Sequence, residues 1–210
     1  MILIFLKLIE SMDIIRKNIL RIFDIEYFFS IKIQSHKTKF NVDRFVVKFM
    51  NVEELENLNL VVNERGLKYI QNVKNYLKKP DTFIGLICKD VSSNCIVYCC
   101  WIRKKSFFET KINEFVKLNI NEAFFTDAYC VKKYRGNGLH SMMMKQRINY
   151  CFENDIKKAF IVIQAFNNPA LSLSRKLYFK KIKTFIMYNH GSISYYLNRF
   201  FNKFITNNND

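Results

Sequence analysis

Segments in which apolar and polar residues alternate are spread along most of the chain. Alternation with a period of two is typical of half-buried β-strands, because successive side chains point to opposite faces of a sheet. This pattern predicts strands over residues 27–33, 44–50, 82–89, 94–103, 122–131, 158–166, 181–188 and 192–197. The polar segment 34–41 and the segment 104–121, which has no clear period, are predicted to be loops.

Between these strands, apolar residues recur every three to four positions, which is the spacing of one face of an α-helix. The predicted helices cover residues 11–23, 52–60, 64–77, 138–153 and 169–177. This mixture of elements predicts an α/β domain over residues 44–205. An extension with an amphipathic helix and a strand precedes it over residues 1–43, and a polar tail follows at 206–210.

The junction between the strand at 122–131 and the next helix contains a glycine loop, Arg135-Gly136-Asn137-Gly138. Only five glycines occur in the chain, and two of them lie in this loop. A helix start leaves backbone N–H groups unpaired and carries a partial positive charge, and glycine lets a phosphate approach the backbone closely. The pattern therefore predicts an anion site, although a turn that merely joins a strand to a helix has the same sequence signature.

The glycine loop with the two residues after it, Leu139 and His140, resembles the pyrophosphate loop of the GNAT superfamily, the acyl-CoA-dependent N-acyltransferases. The pattern of that superfamily is Arg or Gln, two residues, Gly, one residue, then Gly or Ala. In this chain His140 stands in the last place.

A second stretch, residues 167–179, is similar to the next helix of the same superfamily. The matching residues are Asn167, Ala170, Leu171, Leu173, Lys176, Leu177 and Phe179. Two positions depart from the pattern: Ser174 stands where many members have a tyrosine that protonates the leaving thiolate, and Tyr178 stands where a glycine is usual.

The resemblance implies a mixed, mostly antiparallel central sheet of about seven strands flanked by helices. It also implies acetyl-CoA or a longer acyl-CoA as acyl donor, with no metal. In that fold the glycine loop holds the pyrophosphate through backbone N–H groups, the preceding strand pairs with the pantetheine arm, and an asparagine bonds the arm from the other side. The residues so implied are Tyr129, Cys130, Val131, Arg135, Gly136, Asn137, Gly138, Leu139, His140 and Asn167.

Direct acyl transfer to an amine needs a base, because an alkyl ammonium has a pKa of about 10 and only the neutral amine attacks. Asp127 and Glu122 are the base candidates, and alternation along their strand places them on opposite faces, so at most one faces the substrate. Asp127 is preferred because it is nearer the strand end where the acyl group should lie; a structural role is the alternative. The candidate acids are Ser174, which occupies the expected place, and Tyr178, which is the better proton donor.

Cysteine, histidine and charge usage narrow the classes of partner. None of the six cysteines forms a C-x-x-C pair and the three histidines are scattered, so the sequence predicts reduced cysteines and no metal site. The net charge of +16 attracts polyanions. Lysine and arginine are nevertheless spread along the whole chain without a nucleic-acid-binding signature, and no specific nucleic-acid partner is predicted.

No segment reaches the roughly 20 apolar residues that cross a bilayer, and the first nine residues lack the basic start of a secretory signal, so a cytoplasmic protein is predicted. The basic N-terminal helix and the aromatic segment 195–204 leave open a peripheral contact with an anionic membrane. The N-terminal extension is a candidate cover for the acceptor cleft or contact of a homodimer.

The predicted function is transfer of an acetyl or longer acyl group from acyl-CoA to a primary amine of a small molecule, such as an amino sugar or amino acid. Two alternatives remain. One is a GNAT-like domain that binds coenzyme A without turnover, and the other is a basic adaptor for a membrane or nucleic acid in which the glycine loop is only structural.

Overall fold

The structure, a computed structural model, describes residues 23–34, 44–190 and 193–196. The helix predicted at 11–23 lies outside these residues except for Phe23, which begins a strand instead. Most of the loop predicted at 34–41 also lies outside them. Among the described residues, no helix is long and apolar enough to cross a bilayer.

Ten strands and four α-helices form in the described part of the chain. The strands are β1 (Phe23–Lys32), β2 (Phe45–Phe49), β3 (Phe83–Asp90), β4 (Cys95–Arg103), β5 (Phe107–Glu109), β6 (Glu114–Val116), β7 (Glu122–Cys130), β8 (Lys158–Gln164), β9 (Lys180–His190) and β10 (Ile193–Tyr196). The α-helices are α1 (Asn59–Arg65), α2 (Lys68–Leu77), α3 (Leu139–Glu153) and α4 (Asn168–Lys176), and 3-10 helices cover Glu53–Leu58 and Lys132–Tyr134.

The described residues divide into two compact units. The larger unit contains residues 31–34, 44–107 and 117–161. The smaller unit contains residues 23–30, 108–116, 162–190 and 193–196. Strand β8 begins in the larger unit and ends in the smaller one.

In the larger unit, strands pair in the order β2-β3-β4-β7 and all of these pairs are antiparallel. The first residues of β8 then pair in parallel with the start of β7, from Glu122↔Lys158 to Phe125↔Ile161. Helix α3 packs against β3, β4 and β7, and its buried residues include Met143 and Ile148. Helix α1 packs against β4, and α2 packs against β3.

In the smaller unit, β1 pairs antiparallel with β9, and β9 pairs antiparallel with β10. The other edge of β1 meets the chain at the end of β8, where the N–H of Ala165 donates to the carbonyl of Ile25 (2.8 Å). The order is therefore β10-β9-β1-β8. Strand β1 thus lies between β9 and the end of β8.

The predicted fold class is confirmed: the strands form a mixed, mostly antiparallel sheet arrangement with flanking helices. Eight strands take part in these ladders within the described residues, because β1 joins them; the estimate from the sequence was about seven. Strands β5 and β6 form a separate two-stranded ladder. They lie in the segment 104–121 that was predicted to be a loop. That prediction was wrong because strands of three residues are too short to establish a period.

The single helix predicted over 64–77 is also wrong. Helix α1 ends at Arg65, and α2 starts at Lys68. Gly66 ends α1 because its φ of +83° lies where only glycine is unstrained, and its N–H donates to the carbonyl of Val62 (2.7 Å). The break leaves Glu64 and Arg65 at the end of a short helix.

Candidate functional site

The glycine loop follows β7 through the 3-10 helix Lys132–Tyr134 and leads directly into α3. Gly136 has φ +85° and Gly138 has φ +72°, and both angles strain any residue with a side chain. A Cβ atom added to either glycine would meet no atom within 4 Å. The glycines are therefore required by backbone conformation, and the space above them is open.

Helix α3 begins without a side-chain cap. Its first internal hydrogen bond runs from the N–H of Met142 to the carbonyl of Gly138 (3.0 Å), so the N–H groups of Leu139, His140 and Ser141 have no acceptor within the helix. The loop residues 135–138 are exposed. The exposed loop therefore leads into unpaired N–H donors at the positive end of a 15-residue helix.

The charges around this helix start are positive. Lys132, Lys133 and Arg135 are exposed, and the first turn of α3 contains no acidic residue. The Arg135 side chain is held by its Nε, which donates to the carbonyl of Cys130 (3.3 Å). This combination of free N–H groups and cations suits a phosphate or pyrophosphate.

Strand β7 carries a β-bulge just before the glycine loop. Between the pairs Trp101↔Thr126 and Cys99↔Tyr129, β4 contributes one residue, and β7 contributes two, Asp127 and Ala128. Asp127 has φ +49°, an uncommon conformation for a residue other than glycine. The bulge breaks the alternation that was used to place Glu122 and Asp127 on opposite faces, so that argument does not hold along this strand.

The last part of β7 has one edge that is not used by β8. The parallel ladder to β8 stops at Phe125, while β7 continues to Cys130 and changes from buried to half-buried or exposed. The N–H of Val131 donates to the carbonyl of Val97 on the β4 side (3.0 Å), so it is not available to a ligand. Because successive N–H groups point to opposite edges, the N–H of Cys130 points away from β4.

The end of α1 reaches the end of β7. Glu64 accepts a hydrogen bond from the Tyr129 hydroxyl (2.8 Å) and another from the backbone N–H of Lys132 (3.0 Å). The hydrogen bond from Tyr129, opposed by desolvation and assisted by Lys132, lowers the pKa of Glu64. Glu64 therefore remains a carboxylate and fixes the Tyr129 side chain.

Arg65 fixes the bulge. Its Nη1 lies 2.5 Å from the Asp127 Oδ1, and its guanidinium carbon lies 4.0 Å from the centre of the Tyr69 ring. Tyr69 is buried, and its hydroxyl lies 3.0 Å from the Cys99 Sγ. Burial is the main reason that the pKa of Tyr69 is raised, so it remains a neutral phenol. Arg65, which is itself held against the Tyr69 ring, thus fixes the position of the Asp127 carboxylate.

Glu122 lies at the other end of β7. Its Oε2 accepts hydrogen bonds from the backbone N–H and the side-chain amide of Asn119, both at 3.0 Å. A weaker ion pair joins it to Lys158 at 3.9 Å. These contacts close the turn before β7, and we do not propose Glu122 as a base.

His140, in the first turn of α3, faces the protein interior. Its Nδ1 lies 2.6 Å from the hydroxyl of buried Tyr98. Burial, with a contribution from the Arg147 charge, lowers the pKa of His140 to about 4. The imidazole is therefore neutral at physiological pH, and only its backbone N–H is placed at the open helix start.

Helix α4, in the smaller unit, contains the other predicted residues. The Asn167 Oδ1 accepts the N–H of Ala170 (3.3 Å) and caps the helix. Ser174 is fully buried and its hydroxyl donates to the carbonyl of Leu171 (2.9 Å). Tyr178 is 81% exposed and has φ +62°, which explains why a glycine would be favourable at that position.

The sequence analysis did not identify three residues near the bulge, Glu64, Arg65 and Tyr69. The available signal was Gly66, because a glycine shortly after polar residues in a helical pattern marks a helix end. It also missed the pairing of Tyr98 with His140, for which the sequence contains no local signal.

No family model matches the sequence. No curated protein matches it either. By structure, the chain is similar to a GCN5-related N-acetyltransferase from Sphaerobacter thermophilus, with a TM-score of 0.61 and 9% identity over 89% of this chain and 57% of that chain.

Two further structures resemble it. One is the glucosamine N-acetyltransferase region of a fungal multi-domain GH3 β-N-acetylglucosaminidase, with a TM-score of 0.59 and 8% identity over 84% of this chain and 23% of that chain. The other is AAC(6')-Iy in complex with the bisubstrate analogue CoA-S-monomethyl-acetylneamine, with a TM-score of 0.50 and 10% identity over 66% of this chain and 92% of that chain. The chain has the fold of the GCN5-related N-acetyltransferases, which confirms the superfamily resemblance at the level of fold.

Proposed function

We propose that this protein is an acyl-CoA-dependent N-acyltransferase that acetylates a primary amine of a small molecule. The observation that carries the proposal is the open start of α3. Its unpaired N–H groups lie directly after the last part of β7, which does not pair with β8. A pyrophosphate that carries an extended arm fits this pair of features. The pyrophosphate needs clustered N–H donors, and the arm needs a strand edge.

In this proposal, the backbone N–H groups of residues 136–141 hold the pyrophosphate of coenzyme A. Arg135, Lys132 and Lys133 add positive charge around it. The N–H of Cys130 bonds the pantetheine arm, and the half-buried side chains of Tyr129 and Cys130 lie alongside it. The side chains of Leu139 and Val131 are buried in the core. We therefore assign neither side chain a contact with coenzyme A.

Asp127 is the proposed base. An amine acceptor must lose a proton before or during attack on the thioester carbonyl, and a carboxylate at the bulge can accept that proton. Arg65 is a positioning residue, since its ion pair and its contact with the Tyr69 ring fix the Asp127 side chain. We expect general-base catalysis by Asp127 to contribute roughly 10²-fold to the rate.

The leaving group needs less assistance than the amine. A thiol has a pKa of about 8.5, so coenzyme A leaves readily as a thiolate. Ser174 is not proposed as its acid, because its hydroxyl is buried and bonded to the carbonyl of Leu171. Tyr178 remains the candidate acid from the sequence, and the residue is 81% exposed.

The proposed acceptor is an amino sugar or an amino acid. Two carboxylates, Glu64 and Asp127, lie at the end of β7 in a chain whose net charge is +16. Carboxylates attract the ammonium form of an acceptor before it is deprotonated. The similar structures of a glucosamine N-acetyltransferase region and of AAC(6')-Iy with its bisubstrate analogue support amino sugars as the first acceptors to test.

A specific observation favours one alternative, a domain that binds coenzyme A without turnover. The residue in the place of the usual tyrosine, Ser174, has its only proton engaged within the helix. Binding and turnover therefore have to be measured separately.

The test is an acetylation assay by mass spectrometry with acetyl-CoA and a panel of glucosamine, aminoglycosides and amino acids, alongside binding of acetyl-CoA by calorimetry. We expect binding and a gain of one acetyl group on at least one amine. Binding without any acetylated amine favours the non-catalytic domain. No binding contradicts the proposal and leaves the glycine loop as a structural turn.

A further inference from the structure

A cleft of about 350 Å³ lies at the end of the larger unit that is remote from the glycine loop. It is lined by the end of α2, the start of β3 and the end of β4. Arg103, at the end of β4, pairs with Phe124 near the start of β7, whereas the glycine loop follows the end of β7. Tyr76, in the cleft, follows Tyr69 by two turns of α2, a rise of about 10 Å. The cleft is therefore separate from the proposed coenzyme site and from the proposed base.

The charged residues that line the cleft are all cations: Lys79, Arg103 and Lys105. Lys105 forms an ion pair with Asp81, an exposed residue that does not line the cleft. Three positive charges and one carboxylate leave two net positive charges at this place. A ligand that carries about two negative charges would balance them.

The Arg103 side chain is held in place before any ligand arrives. Its Nε donates to the carbonyl of Lys105 (3.2 Å). Its guanidinium carbon lies 3.9 Å from the centre of the Phe107 ring and 5.0 Å from that of Phe83, and both phenylalanines are buried. A guanidinium that is already ordered loses little freedom on binding, and its planar donors suit the oxygens of a phosphate.

The other polar residues that line the cleft are uncharged: Asn75, Thr82 and Ser106. Amide and hydroxyl groups of this kind bond the hydroxyl groups of a ligand. The volume also exceeds what a lone phosphate group requires, since pockets for small molecules begin at about 300 Å³. The ligand therefore has a polar part in addition to its anionic group.

We infer that this cleft binds a phosphate monoester of a small polyhydroxylated molecule, such as a sugar phosphate. A phosphate monoester carries a charge of about −1.5 to −2 at pH 7 and has three acceptor oxygens, whereas a carboxylate carries a single charge. The three cations hold the phosphate, and the uncharged polar residues bond the sugar hydroxyls. The inference does not rest on the proposed function, because none of these residues belongs to the glycine loop or to the bulge of β7.

An amide ¹H–¹⁵N NMR titration of the full chain with glucose 6-phosphate tests the inference. We expect a saturable shift at the amides of Asn75, Thr82, Lys105 and Ser106. The dissociation constant should be about fivefold lower than that of inorganic phosphate, because the sugar adds hydrogen bonds. Glucose, which lacks the anion, should leave these amides unshifted. Shifts confined to the glycine loop would overturn the inference, and so would equal dissociation constants for phosphate and glucose 6-phosphate.

Two adjacent lysines at the end of α2 give a matched pair of variants. Lys79→Ala removes a charge that lines the cleft and should raise the dissociation constant of glucose 6-phosphate about fivefold. Lys78→Ala removes an equally exposed charge that does not line it and should change the constant by less than about twofold. Equal effects of the two substitutions would show that the net charge of +16 attracts the anion without a defined site, and would contradict the inference.

Discussion

Two helices of this protein begin in opposite ways. Helix α4 starts at Asn167, whose side chain accepts the N–H of Ala170, and a proline follows in its first turn. Helix α3 starts at Gly138 without any side-chain cap, directly after an exposed loop that has three cations beside it. One helix start is capped by its own residues, and the other has no cap and is the proposed pyrophosphate site.

The two helix starts contribute differently to the stability of the fold. A capped start is worth about 1 kcal/mol of stability, and an uncapped start forgoes that contribution. At α3 the chain also holds two glycines at positive φ, which lose more conformational entropy on folding than other residues. The exposed, uncapped start of α3 is consistent with the proposed binding role, while Asn167 caps the start of α4.

The largest expected effect on acetyl-CoA affinity comes from a substitution at the uncapped start of α3. Gly138→Glu places a carboxylate in front of the N–H groups, so acetyl-CoA affinity should fall by about 10³-fold. About 2 kcal/mol of this is lost attraction at the helix start, and a similar amount is repulsion from the phosphates. Calorimetry measures the change.

Gly138→Ala is the control for this substitution, since it carries the backbone strain at φ +72° without the charge. It should retain a measurable part of the affinity. Normal affinity in a folded Gly138→Glu protein would refute the open helix start as the binding site.

The second substitution separates acetyl-CoA binding from catalysis. Asp127→Asn leaves both helix starts intact, so acetyl-CoA affinity should stay within about twofold, while kcat should fall roughly 10²-fold as the base is lost. Steady-state kinetics with the best acceptor measure this. An unchanged kcat would remove Asp127 from the mechanism and leave the comparison of helix starts untouched.

A pH experiment tests the buried side of the first turn of α3. The folded pKa of His140 is lowered to about 4, so the folded state takes up fewer protons than the unfolded state below pH 6.5. His140 therefore leaves the free energy of unfolding unchanged above pH 6.5 and lowers it as the pH falls toward 4. Between pH 7.5 and 5 the loss should be about 2 kcal/mol.

His140→Asn, which keeps an acceptor for Tyr98, should remove this part of the pH dependence in urea unfolding. The comparison has to be between variant and wild type, because buried Glu26 acts in the opposite direction. Its pKa is raised to about 7, chiefly by desolvation, so it destabilises the fold as the pH rises from 4.5 to 7. Equal slopes for wild type and variant would show that His140 is not the buried neutral base described.

The smallest expected effect is at the capped helix. Asn167→Ala should lower the free energy of unfolding by about 1 kcal/mol and change acetyl-CoA affinity by less than about threefold. Asn167→Asp, which also caps, should restore stability. A large loss of affinity in a stable Asn167→Ala protein would mean that α4 also serves the ligand, and the contrast between the two helices would fail.

Much of this arrangement could be predicted from the sequence. The glycine loop, the strand before it and the helix after it have local signatures, because positive φ angles require glycine and alternation marks a strand. The bulge at Asp127 could not be predicted, since it depends on the register with β4 at Cys99 and Trp101. The contacts of Glu64 and Arg65 were missed for a similar reason: they join residues more than 60 positions apart.

The roles predicted for α4 illustrate a second limit. The sequence places Asn167 and Ser174 in a familiar pattern, but a pattern does not say whether a polar group is free. Both side chains have a backbone partner within or beside their own helix. Whether a polar side chain already has a hydrogen-bond partner depends on the geometry of its own helix, which the pattern does not specify.

The most direct measurement is an amide ¹H–¹⁵N NMR titration of the wild type with coenzyme A. The account predicts that the largest shifts occur at Gly136, Gly138, Leu139 and His140, while the capped N–H of Ala170 shifts little. Loop resonances that stay unchanged at saturating ligand, or an equally large shift at Ala170, would contradict the claim that the open start of α3 is the anion site.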